Sequence, residues 1–248
     1  IDLSEKARQP MVDSALGITI AFNGCIYNYP ELRRELEAMG YSFFSTGDTE
    51  VIVKAWHAWG AACVERFYGM FAFVLQERDS GRIAMARDRF GIKPLYLAQE
   101  GQRLRFASSL PALLAAGDVD TAVDPVALHH YMSFHAVVPP PRTMLRGVRK
   151  LPPATVRIIE ADGRTSDIRY WDVPYVRDPA DRDVSSEEWR DRVLDTLRVA
   201  VKRRMVADVP VGVLLSGGVD SSLIVGLLAE AGQTGLMSFS VGFEEANG

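Results

Sequence analysis

One run constrains the fold of this 248-residue chain more than any other: Leu214-Leu215-Ser216-Gly217-Gly218-Val219-Asp220-Ser221-Ser222. An apolar stretch over residues 209–213 precedes it, and another, Leu223-Ile224-Val225 with Leu227-Leu228, follows. That order predicts a buried strand, a turn of small residues and then a helix. At such a turn the main-chain N–H groups and the helix N-terminus face outward together and favour an anion. Two glycines let the backbone approach a phosphate, and Ser216, Ser221 and Ser222 add hydroxyl donors. Asp220 repels a bare phosphate, so its place is best explained by a Mg²⁺ that the phosphates also bind. The competing reading is a tight strand-to-helix turn with Ser and Asp as caps. The run holds more small and polar residues than capping requires.

The residues SGGVDSS resemble the PP-loop of the ATP-pyrophosphatase superfamily, whose members adenylate a substrate and release pyrophosphate. The run lacks the Lys of G-x-x-x-x-G-K-[ST], which disfavours the γ-phosphate chemistry of an ordinary P-loop.

Composition sets wider limits. Apolar residues make up 48% and charged residues 24%, the balance of a soluble globular protein long enough for two ordinary domains. A net charge of −4 implies no general affinity for nucleic acid. The 4 histidines form no cluster with cysteine at zinc spacing, and Cys25 and Cys63 lie in different segments and suggest no disulfide framework. A reducing cytoplasm is the expected compartment. No apolar run reaches the roughly 18 residues that span a bilayer, and no signal peptide is visible. Both ends read as cut. Ile1-Asp2-Leu3-Ser4 looks like the end of a strand, and the chain stops one strand after the small-residue turn. An internal piece of a larger enzyme is therefore expected.

Along the chain, residues 16–22 form an apolar strand that reaches Asn23-Gly24. Residues 30–39 predict a helix with Leu32, Leu36 and Met39 on one face, stopped by Gly40. A second helix over 49–59 carries a stripe of Val51, Ile52, Ala55, Trp56 and Trp59. Residues 70–76 and 82–86 read as a hairpin around Asp79-Ser80-Gly81, with short strands near 95–98 and 104–107 and short helices near 110–116 and 125–133. This is an antiparallel, layered α+β pattern. A linker rich in Pro, Asp and Arg follows over 173–186. A long helix over 186–205, with Trp189, Val193, Leu197 and Val201 spaced by four, then leads into the parallel α/β unit.

The second constellation is Asn23-Gly24-Cys25-Ile26-Tyr27-Asn28. An Asn amide and a Gly N–H both suit an oxyanion, yet Asn-Gly is also the commonest hairpin signal. The segments NGCIYN, TGDTEV, GMFAFVL and ARDRFGIKPLY resemble the N-terminal glutaminase domain of asparagine synthetases. VRKLPP, RYW and RRMVADVPVGVLLSGGVDSS resemble later parts of the same enzymes, in the same order. The likeness implies an Ntn-hydrolase-type αββα sandwich over 1–175, truncated at its N-terminus. The start of an α/β PP-loop ATP-pyrophosphatase domain follows over 176–248.

Position by position, the resemblance implies that Asn23 and Gly24 form the oxyanion hole and that Asp48 pairs with the glutamine α-ammonium. Asp48 also reads as an N-cap before Thr49. Cys25 stands where the family usually has a Glu that contributes to glutamine binding, and a neutral thiol is no substitute for a carboxylate. The family's nucleophile is a cysteine at the mature N-terminus with its own α-amine as base, which Cys25 cannot be. Its absence predicts an inactive glutaminase in this chain alone. Cys63 reads as a core residue, Arg87-Asp88-Arg89 as structural charge, and Lys93 as a solvated or tunnel charge. Ser216, Gly217, Gly218, Val219, Asp220 and Ser221 match the ATP-binding loop, with Mg²⁺ held by Asp220 through pyrophosphate. Leu214 and Val241 match contacts to AMP and adenine, and both also read as buried strand residues.

The implied activity is ATP- and glutamine-dependent conversion of a carboxylate, aspartate in the parent family, to an amide through an acyl-AMP. A peptide carboxylate such as N-acetylglutaminylglutamine is the alternative acceptor. A β-lactam-synthetase-like enzyme without glutaminase activity and a non-catalytic fragment are the further alternatives. Neither nucleic acid nor membrane is an expected partner, and a homodimer is compatible with this reading.

Overall fold

The computed structural model describes residues 2–101, 103–176, 178–233 and 235–242. The chain divides into two compact units, Asp2–Val173 and Pro174–Gly248.

The first unit contains β1 (Met11–Asp13), β2 (Ile18–Ile26), α1 (Tyr29–Ala38), α2 (Asp48–Trp59), β3 (Gly69–Glu77), β4 (Ile83–Arg87), β5 (Tyr96–Glu100), β6 (Arg103–Ala107), α3 (Leu110–Ala115), α4 (Pro125–Ser133), β7 (Arg149–Lys150), β8 (Thr155–Ile159) and β9 (Thr165–Arg169). Six strands form an antiparallel sheet in the order β1-β2-β3-β4-β8-β9, and β6-β5-β7 form a second sheet. Strand alternation sends Ile18, Ile20, Ile26, Phe71, Phe73 and Leu75 to one face, where they pack on Leu32 and Leu36 of α1 and Val51, Ile52 and Trp56 of α2. The opposite face offers Ala72, Val74 and Met85 to Leu95, Leu97 and Leu151 beside the second sheet. Leu113 of α3 packs against Ala98 and Val148 behind that sheet. The layers thus run helix, sheet, sheet, helix.

Four local expectations change. Asn23-Gly24 lies inside β2, with Gly24 opposite Phe71, and makes no hairpin turn. Gly is required there because a Cβ on Gly24 would lie 2.2 Å from the Met70 carbonyl oxygen, with φ at +154°. Gly69 is its diagonal counterpart, where a Cβ would lie 2.2 Å from the Cys25 carbonyl oxygen. Met39 ends outside α1 and is exposed, because the helix stops before it. α2 begins at Asp48 with Gly47 as N-cap, so Asp48 is no cap, and every residue from Asp48 through Trp56 is buried, well beyond the expected stripe. Residues 2–4 do not form a strand; Ser4 N–H donates to Asp2 Oδ1 instead.

The second unit holds α5 (Ser186–Arg204), β10 (Gly212–Leu214), α6 (Val219–Glu230) and β11 (Met237–Phe239). Ser185 and Glu188 form a reciprocal capping box at the start of α5. β10 and β11 pair in parallel, Gly212 opposite Met237 and Leu214 opposite Phe239. Val201 of α5 meets Leu227 and Leu228 of α6, with Leu197, Val213 and Ile224 packed around them. Trp189 and Val193 of the expected stripe are exposed. The strand is also less buried than its sequence suggests. Val213 packs on the helices, whereas Leu214 is exposed, because no other described element of this unit covers the second face of the pair; Val209 lies before β10 and is exposed. Val241, expected in a strand, lies exposed just beyond β11.

Candidate active sites

The first site grows from the edge of β2. In an antiparallel strand the N–H and C=O of alternate residues point to opposite sides. Tyr27 N–H donates to Tyr68 O at 2.7 Å on the β3 side, so odd-numbered residues of this strand face β3 and even-numbered ones face away. Phe22 N–H, on the far side, donates to Gln9 Oε1 at 2.6 Å, and Ile26 N–H donates to Asp48 Oδ2 at 2.9 Å. Gly24 N–H lies between them on that same edge, and no acceptor meets it among the described residues. The side chains of odd residues point between the two sheets. Asn23 there lines a cavity of about 140 Å³ with Gln9, Ala72, Pro94, Leu95 and Phe106. Cys25, half-buried, is on the same face as Asn23.

Asp48 is 2% exposed. Burial raises its carboxyl above the ordinary value; the N–H groups of Ile26, Asp48 and Thr49 pull the other way without cancelling that. The loop that delivers Asp48 is fastened by side chains. Glu50, fully buried, accepts from Ser45 N–H and Ser45 Oγ, both at 2.7 Å, and from Phe44 N–H. Arg33 donates to Ser45 O at 2.8 Å, and Asp2 accepts from Thr46 N–H at 3.0 Å. Lys54 neutralises this buried acid from 3.7 Å and also donates to Asp13. Burial opposes the Asp13 carboxylate, but Lys54 and Leu16 N–H outweigh it and hold its pKa below the usual range.

Sequence reasoning missed these supporting groups. It also read Arg87 and Asp88 only as structural charge, while both are almost wholly buried. Asp88 accepts from the N–H groups of Phe71 (3.1 Å), Phe90 (3.2 Å), Ile92 (2.9 Å) and Lys93 (3.0 Å). Arg87 donates to the carbonyls of Lys93 (2.7 Å), Leu151 (2.6 Å) and Gly91 (2.6 Å). Phe71 pairs with Gly24, so Asp88 stands behind the donor strand. Asn28 fastens the approach to β3, donating to Arg66 O and accepting from Tyr68 N–H. A turn of polar residues was the available signal, but its partners are remote in sequence. Cys63 is fully buried and its thiol is pushed up by that burial, as a core residue requires.

The second site is the turn between β10 and α6. Leu215 N–H donates to Phe239 O at 2.8 Å, and Ser240 Oγ donates to Leu215 O at 2.6 Å, which ties the end of β11 to the turn. Gly217 has φ +81°, and no atom lies within 4 Å of a Cβ built there. Gly218 caps α6, and Val219 and Asp220 open its exposed first turn. The serine hydroxyls do not all point outward as expected. Those of Ser221 and Ser222 reach Gly218 O at 3.1 and 2.9 Å, and Ser216 Oγ lies 3.2 Å from Ser221 Oγ. The outward donors are then chiefly main-chain N–H groups. The structure brings Leu214, Ser216, Gly217, Gly218, Val219, Asp220 and Ser221 together around one exposed turn. Among the described residues no group of His, Cys, Asp and Glu is placed to hold a metal ion, and no helix is long and apolar enough to cross a membrane.

The asparagine synthase family matches residues 192–248. Asparagine synthetase [glutamine-hydrolyzing] 1 of Bacillus subtilis is 39% identical over 241 residues, 97% of this chain and 37% of that protein. A putative asparagine synthetase [glutamine-hydrolyzing] 2 of Methanocaldococcus jannaschii is 36% identical over 267 residues, 98% of this chain and 49% of that protein. Amidase chry2 of Gibberella zeae is 31% identical over 92% of this chain and 33% of its own length. The chain therefore spans between a third and a half of the curated relatives it matches. Residues 1–171 match the glutamine amidotransferase domain family, and the chain belongs to that family.

Proposed function

We propose that this chain carries the glutamine-binding edge and the ATP-binding turn of a glutamine-dependent ligase that converts a carboxylate, aspartate in the first instance, to an amide. The observation that supports it most is the Gly24 N–H, which no acceptor among the described residues meets on the β2 edge, next in sequence to Asn23. Two adjacent donors suit the oxygen of a side-chain amide as it takes up negative charge under attack. Asp48, buried and reluctant to ionise alone, gains a counter-ion when an α-ammonium arrives, which fits an amino-acid amide better than a simple amide. The attacking thiolate belongs, by the family resemblance, to an N-terminal cysteine, and Cys25 and Cys63 take no part.

The second half of the reading is carboxylate activation. The space around Gly217 and the exposed first turn of α6 fit a polyphosphate, with Ser216, Gly217, Gly218, Val219 and Ser221 around it and Asp220 placed for Mg²⁺. Leu214 and Val241, both exposed, offer apolar surface to a nucleotide base and sugar. ATP·Mg²⁺ supplies the leaving group that a carboxylate lacks, and ammonia then displaces AMP from the acyl-adenylate. Residues 1–175 serve the first chemistry and 176–248 begin the second, in a cytoplasmic enzyme. NGCIYN, with Cys25 in place of the family's Glu, resembles a branch that amidates a peptide carboxylate, the alternative acceptor.

Titration of the chain with ATP, with and without Mg²⁺, tests the turn. Asp220→Ala is expected to remove the Mg²⁺-dependent part of binding, and identical titrations would sink that assignment. Titration with L-glutamine tests the other site through the amide resonances of Asn23 and Gly24.

A further inference from the structure

The outer edge of β2 shows how a single donor is kept free. β1 pairs with β2 as far as Met11 opposite Ile20. Continued backward, that register sets residue 9 opposite Phe22 and residue 7 opposite Gly24. A main chain following it would offer a carbonyl to the Gly24 N–H and close the edge. The chain departs from the ladder instead. Residues Glu5–Ala7 coil into a single helical turn. At the position opposite Phe22, Gln9 pairs through its side chain, Oε1 accepting from Phe22 N–H at 2.6 Å. On the other side of Gly24, the Asp48 carboxylate takes the Ile26 N–H at 2.9 Å. Side chains thus satisfy the donors at 22 and 26 that an edge strand would have satisfied, and the replacement stops one pair short of Gly24.

We propose that Gln9 is a positioning residue for amide recognition: its carboxamide holds the β2 edge at Phe22 so that the Gly24 N–H faces the substrate oxygen. This rests on the glutamine reading given above. Gln9 also lines the cavity that contains Asn23, so the clamp and that side chain share one surface. Gln9 is exposed and belongs to no hydrophobic cluster, which separates its effect on the edge from any effect on folding.

Amide hydrogen exchange and ¹⁵N shifts of the chain and of Gln9→Leu and Gln9→Glu test the proposal. Loss of one hydrogen bond in Gln9→Leu is expected to speed exchange at Phe22 by roughly tenfold. Asn23 and Cys25, bonded toward β3, should exchange at unchanged rates and report an intact sheet. Gln9→Glu retains an acceptor oxygen and should restore slow exchange at Phe22. L-Glutamine should shift the Gly24 amide in the unsubstituted chain and in Gln9→Glu, and fail to do so in Gln9→Leu. An unchanged Phe22 rate in Gln9→Leu overturns the proposal, as does a Gly24 response that survives this substitution. If glutamine moves neither Asn23 nor Gly24 in the unsubstituted chain, the glutamine reading falls, and the Phe22 rates still decide whether Gln9 holds the edge.

Discussion

The β2 edge and the β10–α6 turn both present main-chain N–H groups, yet they are built in opposite ways. Around β2 the supporting contacts come from far along the chain: Gln9 to Phe22, Asp48 to Ile26, Asn28 to Tyr68 and Asp88 to Phe71. Most of those carboxylates and amides are buried, and each was desolvated to hold one strand in place. Around the turn, the contacts are nearly all local, Ser216 to Ser221 and Ser221 and Ser222 to Gly218. The first arrangement is preorganised by the whole domain; the second is a backbone shape held by its own neighbours in sequence. Damage to the fold should therefore reach the first site and largely spare the second.

The strongest way to break that contrast is at Lys54. Lys54→Met leaves Glu50 and Asp13 buried without their counter-ion and should cost about 3–5 kcal/mol of stability in the first unit by denaturant unfolding. The same substitution should flatten an acid limb. Asp13 is more acidic folded than unfolded, so its contribution is present above about pH 4 and lost as pH falls through the folded value. Next, Asp88→Ala strands four N–H groups and should cost about 2–3 kcal/mol, with enhanced exchange at Phe71. In the second unit, Ser185→Ala removes half of the capping box and should cost about 1 kcal/mol, seen as fraying at the start of α5. The smallest effect has the opposite sign. Asp48 has a raised carboxyl in the fold, so stability falls as pH rises through the folded value, and Asp48→Asn should raise the thermal midpoint at neutral pH. Its amide oxygen can still accept from Ile26 N–H, while glutamine binding should be lost. A lower midpoint would show that the charge itself supports the loop.

The two regions also differ in how much could be read from residues alone. The strand–turn–helix over SGGVDSS was legible because its signal is contiguous, and so was the hairpin of β3 and β4. The helices α1 and α2 followed from apolar spacing, and Pro stands in the first turn of α1, α3 and α4. The burial of Glu50 and Lys54 was not legible. A charged pair four residues apart normally marks a solvated helix face, and only Asp13 and the loop at Phe44 and Ser45 make its burial tolerable. Asn23-Gly24 misled for the same reason: its turn propensity is local, while pairing over the whole of β2 with β3 decides the outcome. Exposure of Leu214 and Val241 reverses the usual meaning of apolar strand residues, because partners, not composition, determine what is covered.

Gly69 carries no polar side chain, yet it governs the same spot as Gly24. A methyl at either position meets the opposite strand's carbonyl at 2.2 Å, against Met70 in one case and Cys25 in the other. Relief must come from sliding or spreading the two strands, and β2 moves with the donor it bears. Chemical silence is thus no guide to tolerance: Gly69→Ala should displace the Gly24 N–H about as much as Gly24→Ala, although position 69 contributes no group to the proposed site.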